Sequence, residues 1–240
     1  MLSLLIASVA LSTTGPADLV DVAKAVPGVV VDLRYATTHN FMHRKLYPVA
    51  RCLLARDVAR RLALVQSDLA RQGLSLKVWD AYRPLSVAKR MWELVRDSRY
   101  VANPAHGRNT HCRGAAVDVT LVDRKGRELP MPSGFDEFGP RAWRSYRGGS
   151  ATSRANRRKL ERAMVRRGFK PLATEWWHFD VPDWRSYPER DVSPASVPVG
   201  SLFSPSAGTT HPVPTISRVF RLPGLSDRRA VADGRAMPHG

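Results

Sequence analysis

Cysteine is nearly absent from this chain, which holds only Cys52 and Cys112. Two cysteines exclude a disulfide framework and a cysteine-based zinc ribbon. They leave a pair of small semi-buried thiols or, in an oxidising compartment, a single bridge. Long apolar runs are absent as well. The most apolar stretch, Leu2–Leu11, is too short to span a bilayer, so no transmembrane segment is expected. It resembles the apolar core of a signal peptide, followed by small polar residues and Pro16, with Ser8-Val9-Ala10 as a small-residue cleavage step. No Lys or Arg precedes it. The expectation is therefore a leader over residues 1–20 and a periplasmic or secreted protein rather than a cytoplasmic one, with a structural first helix as the alternative.

Acidic side chains are also scarce. Against 38 Lys+Arg there are 21 Asp+Glu, a formal charge of +17, and such a field attracts polyanions, among them anionic cell-envelope polymers. The excess is scattered as doublets such as Arg60-Arg61, Arg157-Arg158 and Arg166-Arg167. Without a compact basic block or interleaved aromatics, sequence-specific nucleic-acid reading is excluded. No internal repeat is visible.

What remains is a chain of 240 residues, 43% hydrophobic, enough for one domain with a sizeable core. Val26–Thr37 reads as a strand entered from the Pro27-Gly28 turn. From Leu54 the residues Val58, Leu62, Val65 and Leu69 recur at helical spacing, with Gly73 as the stop. LSLKVWD alternates as a half-buried strand, with Leu74, Leu76 and Val78 on one face. Pro84 ends it and opens a second helix with Leu85, Ala88, Met91/Trp92 and Val95 inward. A loop over 101–114 leads to the strand Ala115–Asp123, closed by a turn over Asp123–Gly126. After a Pro/Gly-rich excursion comes a third helix, roughly Ser153–Arg167, capped by Ser153 and ended by Gly168. TEWWHFDVPDW is the last strand, stopped by Pro182. Strands and helices are mixed and irregularly spaced, so the expected class is α+β: a small central antiparallel or mixed sheet flanked by helices. Residues 21–192 form the domain. From Ser193 on, Pro, Ser, Gly and Thr crowd the sequence, and 193–240 reads as a disordered tail.

Two segments carry the chemistry. In THCRGAAVDV, Ala116, Asp118 and Thr120 share one strand face and Val117, Val119 and Leu121 the other. Gly114 permits the preceding loop to fold back and bring His111 toward Asp118. In EWWHFD, His178 and Asp180 alternate against Trp177 and Phe179. If the two strands are neighbours, His178 enters the same cavity as Asp118, and Glu175, at an odd separation from His178, joins them through a bend or bulge. Two imidazoles and a carboxylate with a fourth position open are the donor set of a catalytic zinc site on one sheet face. Glu175 is then the general base. In Asp80-Ala81-Tyr82-Arg83-Pro84, Arg83 sits between strand and helix, suited to stabilising an oxyanion or, alternatively, to pairing with Asp80.

DAYRP, THCRGAAVD and EWWHF, in this order, together with VVVDLRYATTHNF and RCLL, resemble the D-alanyl-D-alanine dipeptidase family, the vancomycin-resistance type of zinc dipeptidase. The likeness covers residues 26–190. It implies one zinc ion per subunit on His111, Asp118 and His178, with Glu175 as base and proton shuttle and Arg83 polarising the scissile carbonyl. Where the family pattern has a serine two residues before the first histidine, this chain has Asn109, which touches a substrate contact and not the metal site. A dipeptidase must also hold a free ammonium, for which Asp80, Asp136 and Glu137 are candidates; Tyr35 and Tyr82 are expected to border the pocket. The expected activity is hydrolysis of D-Ala-D-Ala in peptidoglycan precursor metabolism. The alternatives are a D,D- or L,D-carboxypeptidase trimming wall stem peptides and a catalytically silent envelope-binding domain.

Overall fold

A computed structural model of the protein describes residues 18–197. The expected leader, up to residue 17, and the expected tail, from 198 on, lie outside the described residues. Leu19–Asp21 form a short strand, β1, and Val22–Ala25 a single helical turn, α1, whose Ala23 amide donates to the Asp21 side chain. At the other end the chain is ordered beyond 192, through a 3-10 turn over Pro194–Ser196 to Val197, which packs with Leu53 and Tyr82.

The sheet expected from the sequence is present and mixed. Its order is β2-β4-β5-β7-β6, formed by Val30–Val31, Leu74–Asp80, Ala116–Asp123, Glu175–Asp180 and Lys170–Leu172. β2 runs parallel to β4 and all other neighbours are antiparallel. β1 and β3 (Leu53–Ala55) make a separate two-stranded ribbon. β6 carries Pro171, tolerable because the strand lies at an edge, where a missing amide breaks no ladder.

Three helices flank these strands: α2 (Arg56–Ala70), α3 (Leu85–Val95) and α4 (Ala151–Arg166). The expected stripe of α2 is fully buried at Val58, Leu62, Val65 and Leu69, but the helix starts at Arg56, because Leu53–Ala55 are drawn into pairing with β1. α4 also starts earlier than expected. Its cap is Ser150, whose hydroxyl accepts from the Ser153 amide at 3.0 Å, while the Ser153 hydroxyl donates back to the Ser150 carbonyl at 3.0 Å. Gly168 ends it at φ +83°, a left-handed conformation cheap only for glycine. The expected strand over Val26–Thr37 shrinks to two residues, since the chain turns into a 3-10 helix at Arg34–Ala36. No helix among the described residues is long and apolar enough to cross a membrane.

β4 departs from simple alternation in a way that bears on the site. Trp79, expected on a half-exposed face, is buried, with ring centroids 4.9 Å from Phe135 and 5.8 Å from Trp176. The Pro/Gly-rich excursion thus covers the second face of the sheet with aromatic rings. The ladder between β4 and β5 also slips between Val78 and Asp80, so that Asp80 stands opposite Asp118. Such a bulge re-aims a side chain at one residue's cost in pairing.

Candidate metal centre

Asp118 and His178 are direct cross-strand neighbours in the β5–β7 ladder, which is what alternation required of two strands sharing a face. His111 arrives from outside the sheet. A 3-10 turn over His111–Arg113 ends at Gly114, φ +64°, and a side chain there would collide with Leu19 and the Ala55 amide. The turn therefore closes onto the β1–β3 ribbon only because residue 114 has no Cβ. The His111 carbonyl accepts from the Arg83 amide at 3.2 Å, tying the DAYRP segment to this loop.

The three ligand candidates converge through one atom each. His111 Nε2 lies 3.2 Å from His178 Nδ1 and 3.5 Å from Asp118 Oδ1, and His178 Nδ1 lies 3.0 Å from Asp118 Oδ1. All three side chains are buried, and together they could hold a metal ion. The outer ring nitrogens are engaged elsewhere: His111 Nδ1 donates to the Ala81 carbonyl at 2.6 Å and His178 Nε2 to Asp180 Oδ1 at 2.8 Å. These outer bonds fix each tautomer so that a lone pair faces inward, the usual support of a metal-bound histidine. Asp180 is itself held by Arg108 Nη2 at 2.8 Å and by Thr110.

Electrostatics agree with a cation at the convergence point. Burial lowers the His178 pKa, but its bonds to Asp118 and Asp180 outweigh that and raise it to about 10. Burial works in the opposite sense on Asp118, yet the two histidines hold its carboxyl below the usual carboxylate range. Two nitrogens and an oxygen this close repel one another unless a positive charge sits among them. A divalent ion held at that point would supply that charge. The donor set of two imidazoles and one carboxylate fits zinc.

Around this cluster lies a cavity of about 380 Å³, a volume suited to a small ligand. Its wall includes Tyr35, Arg83, Asn109, Asp136, Glu175 and Trp177. Glu175 enters it through the bulge expected from the sequence: the β6–β7 register shifts between Pro171 and Leu172, which pairs with Glu175. Burial raises its pKa, as does Asp118, against His178, His111 and Arg83. Arg83 reaches the wall held from behind, since Asp80 Oδ2 accepts from its Nη2 at 2.5 Å and its Nε at 3.2 Å. Its guanidinium carbon lies 5.1 Å from the centre of the Tyr35 ring. Arg83 therefore pairs with Asp80 and also lines the cavity.

The remaining candidates separate. Asp80 is fully buried and off the cavity wall, accepting also from Tyr47 Oη at 2.5 Å and the Ala81 amide at 2.9 Å. It is a support for Arg83, not a partner for an ammonium. Tyr82 points away from the cavity and exchanges hydrogen bonds with Val192 through its hydroxyl. Glu137 turns outward to Arg141 at 2.9 Å and to the Gly134 amide. Asp136 is the acid that faces in, at φ +58°, bonded to the Tyr35 hydroxyl at 2.9 Å. Burial lifts its pKa well above the ordinary value, opposed by the Tyr35 bond and Arg83 and reinforced by Asp118 and Glu175. Asn109, also left-handed at φ +48°, spends its amide nitrogen on the Pro104 carbonyl at 2.8 Å and on Glu189 at 3.3 Å.

Both cysteines are buried and free. Cys112 lines the cavity, but burial pushes its thiol up to about 11, so it is neither thiolate nor nucleophile at neutral pH. Sequence reasoning passed over Asp180 as a partner of His178, and Arg108 altogether. Asp180 was in reach, because it shares the face of His178 two residues on.

The family model described as D-ala-D-ala dipeptidase matches residues 16–195. The chain is 37% identical over 171 residues to the D-alanyl-D-alanine dipeptidase of Escherichia coli (strain K12), covering 71% of this chain and 88% of that protein. It is 32% identical over 178 residues to the D-alanyl-D-alanine dipeptidase of Enterococcus faecium, covering 66% and 88%. To the protein of that name from Enterococcus faecalis (strain ATCC 700802 / V583) it is 30% identical over 182 residues, covering 68% and 90%.

Proposed function

Since the chain belongs to the D-Ala-D-Ala dipeptidase family of peptidases, we propose that it hydrolyses free D-Ala-D-Ala with one zinc ion held by His111, Asp118 and His178. The observation that carries this reading is the convergence of His111 Nε2, His178 Nδ1 and Asp118 Oδ1 in one cavity with Glu175, Arg83 and Asp136. A bound zinc ion supplies Lewis acidity, polarising a carbonyl and bringing the pKa of a water to roughly 7.

The chain's own residues do the rest. The Glu175 carboxylate takes a proton from the attacking water as its oxygen bonds to the scissile carbonyl carbon. It then delivers that proton to the amide nitrogen as the C–N bond breaks. A carboxyl raised by burial accepts a proton more readily near neutral pH than an ordinary one. The free edge of Arg83 faces the carbonyl oxygen as negative charge collects there, and Asp80 and Tyr47 keep it from swinging away. Asp136 receives the substrate ammonium. In the bare cavity it is crowded by Asp118 and Glu175, a field that draws a small cation, and Tyr35 fixes its direction. The +17 charge and the apolar leader-like segment favour work outside the cytoplasm, near anionic envelope polymers.

The test is a substrate panel of D-Ala-D-Ala, its N-acetylated form and a wall pentapeptide, run with and without chelator. The expected result is rapid, chelator-sensitive cleavage of the free dipeptide alone. Cleavage of only the acetylated and longer peptides would replace this reading with a carboxypeptidase. No cleavage and no bound metal would leave a binding domain.

A further inference from the structure

D-Ala-D-Ala is a zwitterion, and the proposed site accounts for one end of it. Asp136 meets the ammonium; the C-terminal carboxylate still needs a cation. Among the described residues the cavity wall carries two arginines, Arg83 and Arg108. Arg83 commits two of its nitrogens to Asp80 and faces the reacting carbonyl. Arg108 stands three residues before His111 at the cavity rim, with 45% of its side chain exposed.

An exposed arginine ordinarily samples many rotamers, and ordering it on a ligand costs affinity. Arg108 is already pinned from two sides. Its Nη2 contacts Asp180 Oδ2 at 2.8 Å, and its guanidinium carbon lies 5.1 Å from the centre of the Trp184 ring. One nitrogen is thereby engaged, and among the described residues the guanidinium has no other hydrogen-bonding partner. The surroundings are cationic: the same indole carries Arg113 at 5.3 Å and Arg185 at 4.3 Å. Asp180 is shared with His178, and Arg113 is paired with Glu189 at 2.6 Å. A planar, pre-oriented fork in a positive field is what a carboxylate binds best.

We propose that Arg108 is a specificity-determining residue that anchors the C-terminal carboxylate of the substrate at the cavity rim, in the same cavity as Asp136. The inference rests on the peptidase reading only in requiring a substrate with a free C-terminal carboxylate, a condition that dipeptides and trimmed stem peptides share. The site thereby measures the substrate from both ends. A C-terminal amide or ester should be refused even where its length and stereochemistry are right.

The test is calorimetric binding to zinc-loaded protein carrying Glu175→Gln, so that no turnover intervenes. Four probes are used: D-Ala-D-Ala, D-Ala-D-Ala amide, and the N-acetylated form of each. With Arg108 intact, the acids should bind about 10- to 100-fold more tightly than the amides, as a charge-assisted bidentate pair implies. Arg108→Ala should bring acid and amide within about two-fold, with zinc content unchanged, and Arg108→Lys should restore part of the preference. If Arg108 merely braces Asp180 and His178, zinc content falls and acid and amide weaken equally, which overturns the proposal. An acid preference that survives Arg108→Ala overturns it as well. The dipeptidase reading fails separately, through tighter binding of the acetylated pair than of the free pair, while the acid-to-amide ratio still reports on Arg108. Binding of none of the four overturns both.

Discussion

The two faces of β5 differ in chemistry although the side chains of both are buried. Val117, Val119 and Leu121 on one face are fully buried and belong to the main apolar core. Asp118, one residue out of step, lies with His111, His178 and Glu175 around a cavity. The apolar face is complete as it stands, because side chains of any suitable volume can fill it. The polar face is not. Its three converging donors crowd one buried point, and a buried charge cluster of this kind is weak evidence of stability but good evidence of function.

The comparison can be broken most decisively at Asp118. Asp118→Asn should abolish zinc binding and turnover, yet move the unfolding midpoint measured in chelator less than a cavity on the opposite face does. Metal analysis and calorimetry on one sample check both halves, and a collapsed fold with normal zinc affinity in the survivors would reverse the assignment of faces. Next in size is Glu175→Gln. It should lower kcat by about 10²- to 10⁴-fold, the usual worth of a general base, while metal content stays at one ion per chain. Retained turnover would remove Glu175 from the chemistry.

Leu121→Ala, on the apolar face, should cost about 2–5 kcal/mol of stability from lost burial and the cavity left behind. Activity per folded molecule should be unchanged, and loss of activity without loss of stability would show the faces to be coupled. The smallest effect lies outside both faces, where Asp68 on α2 accepts from Arg167 Nε and Nη2, each at 2.7 Å. Those bonds, joined by Arg71, outweigh desolvation and lower its carboxyl pKa to about 2. A lowered acid contributes stability above its unfolded value near 4 and loses it as pH falls through the folded one. Asp68→Asn should therefore flatten the acid limb of unfolding between about pH 4 and pH 2 and leave neutral activity alone. An unchanged acid limb would mean that the pair adds nothing.

Much of this site was legible because strand alternation is local. Asp118 and His178 each follow from the parity of their own strand, and the odd spacing of Glu175 demanded the bulge that the β6–β7 ladder contains. The stripe of α2 was legible for the same reason. The misses share a different cause. The onset of α2, the slip that puts Asp80 opposite Asp118, and the burial of Trp79 depend on pairing partners far along the chain. Choosing Asp136 over Glu137 and Asp80 as the inward acid turned on a left-handed residue in a loop that no periodicity announces.

Residue order alone determined which side chains share a face, where a glycine had to relieve a tight turn, and that two histidines and an aspartate were available as ligands. Those properties follow from covalent geometry and the period of each element. Only the tertiary structure decided that His111 Nδ1 is spent on Ala81 and His178 Nε2 on Asp180, that Asp80 braces Arg83, and that Arg108 stands at the rim. Each is a contact between segments brought together by packing of the whole sheet, and such contacts have no signature in local spacing.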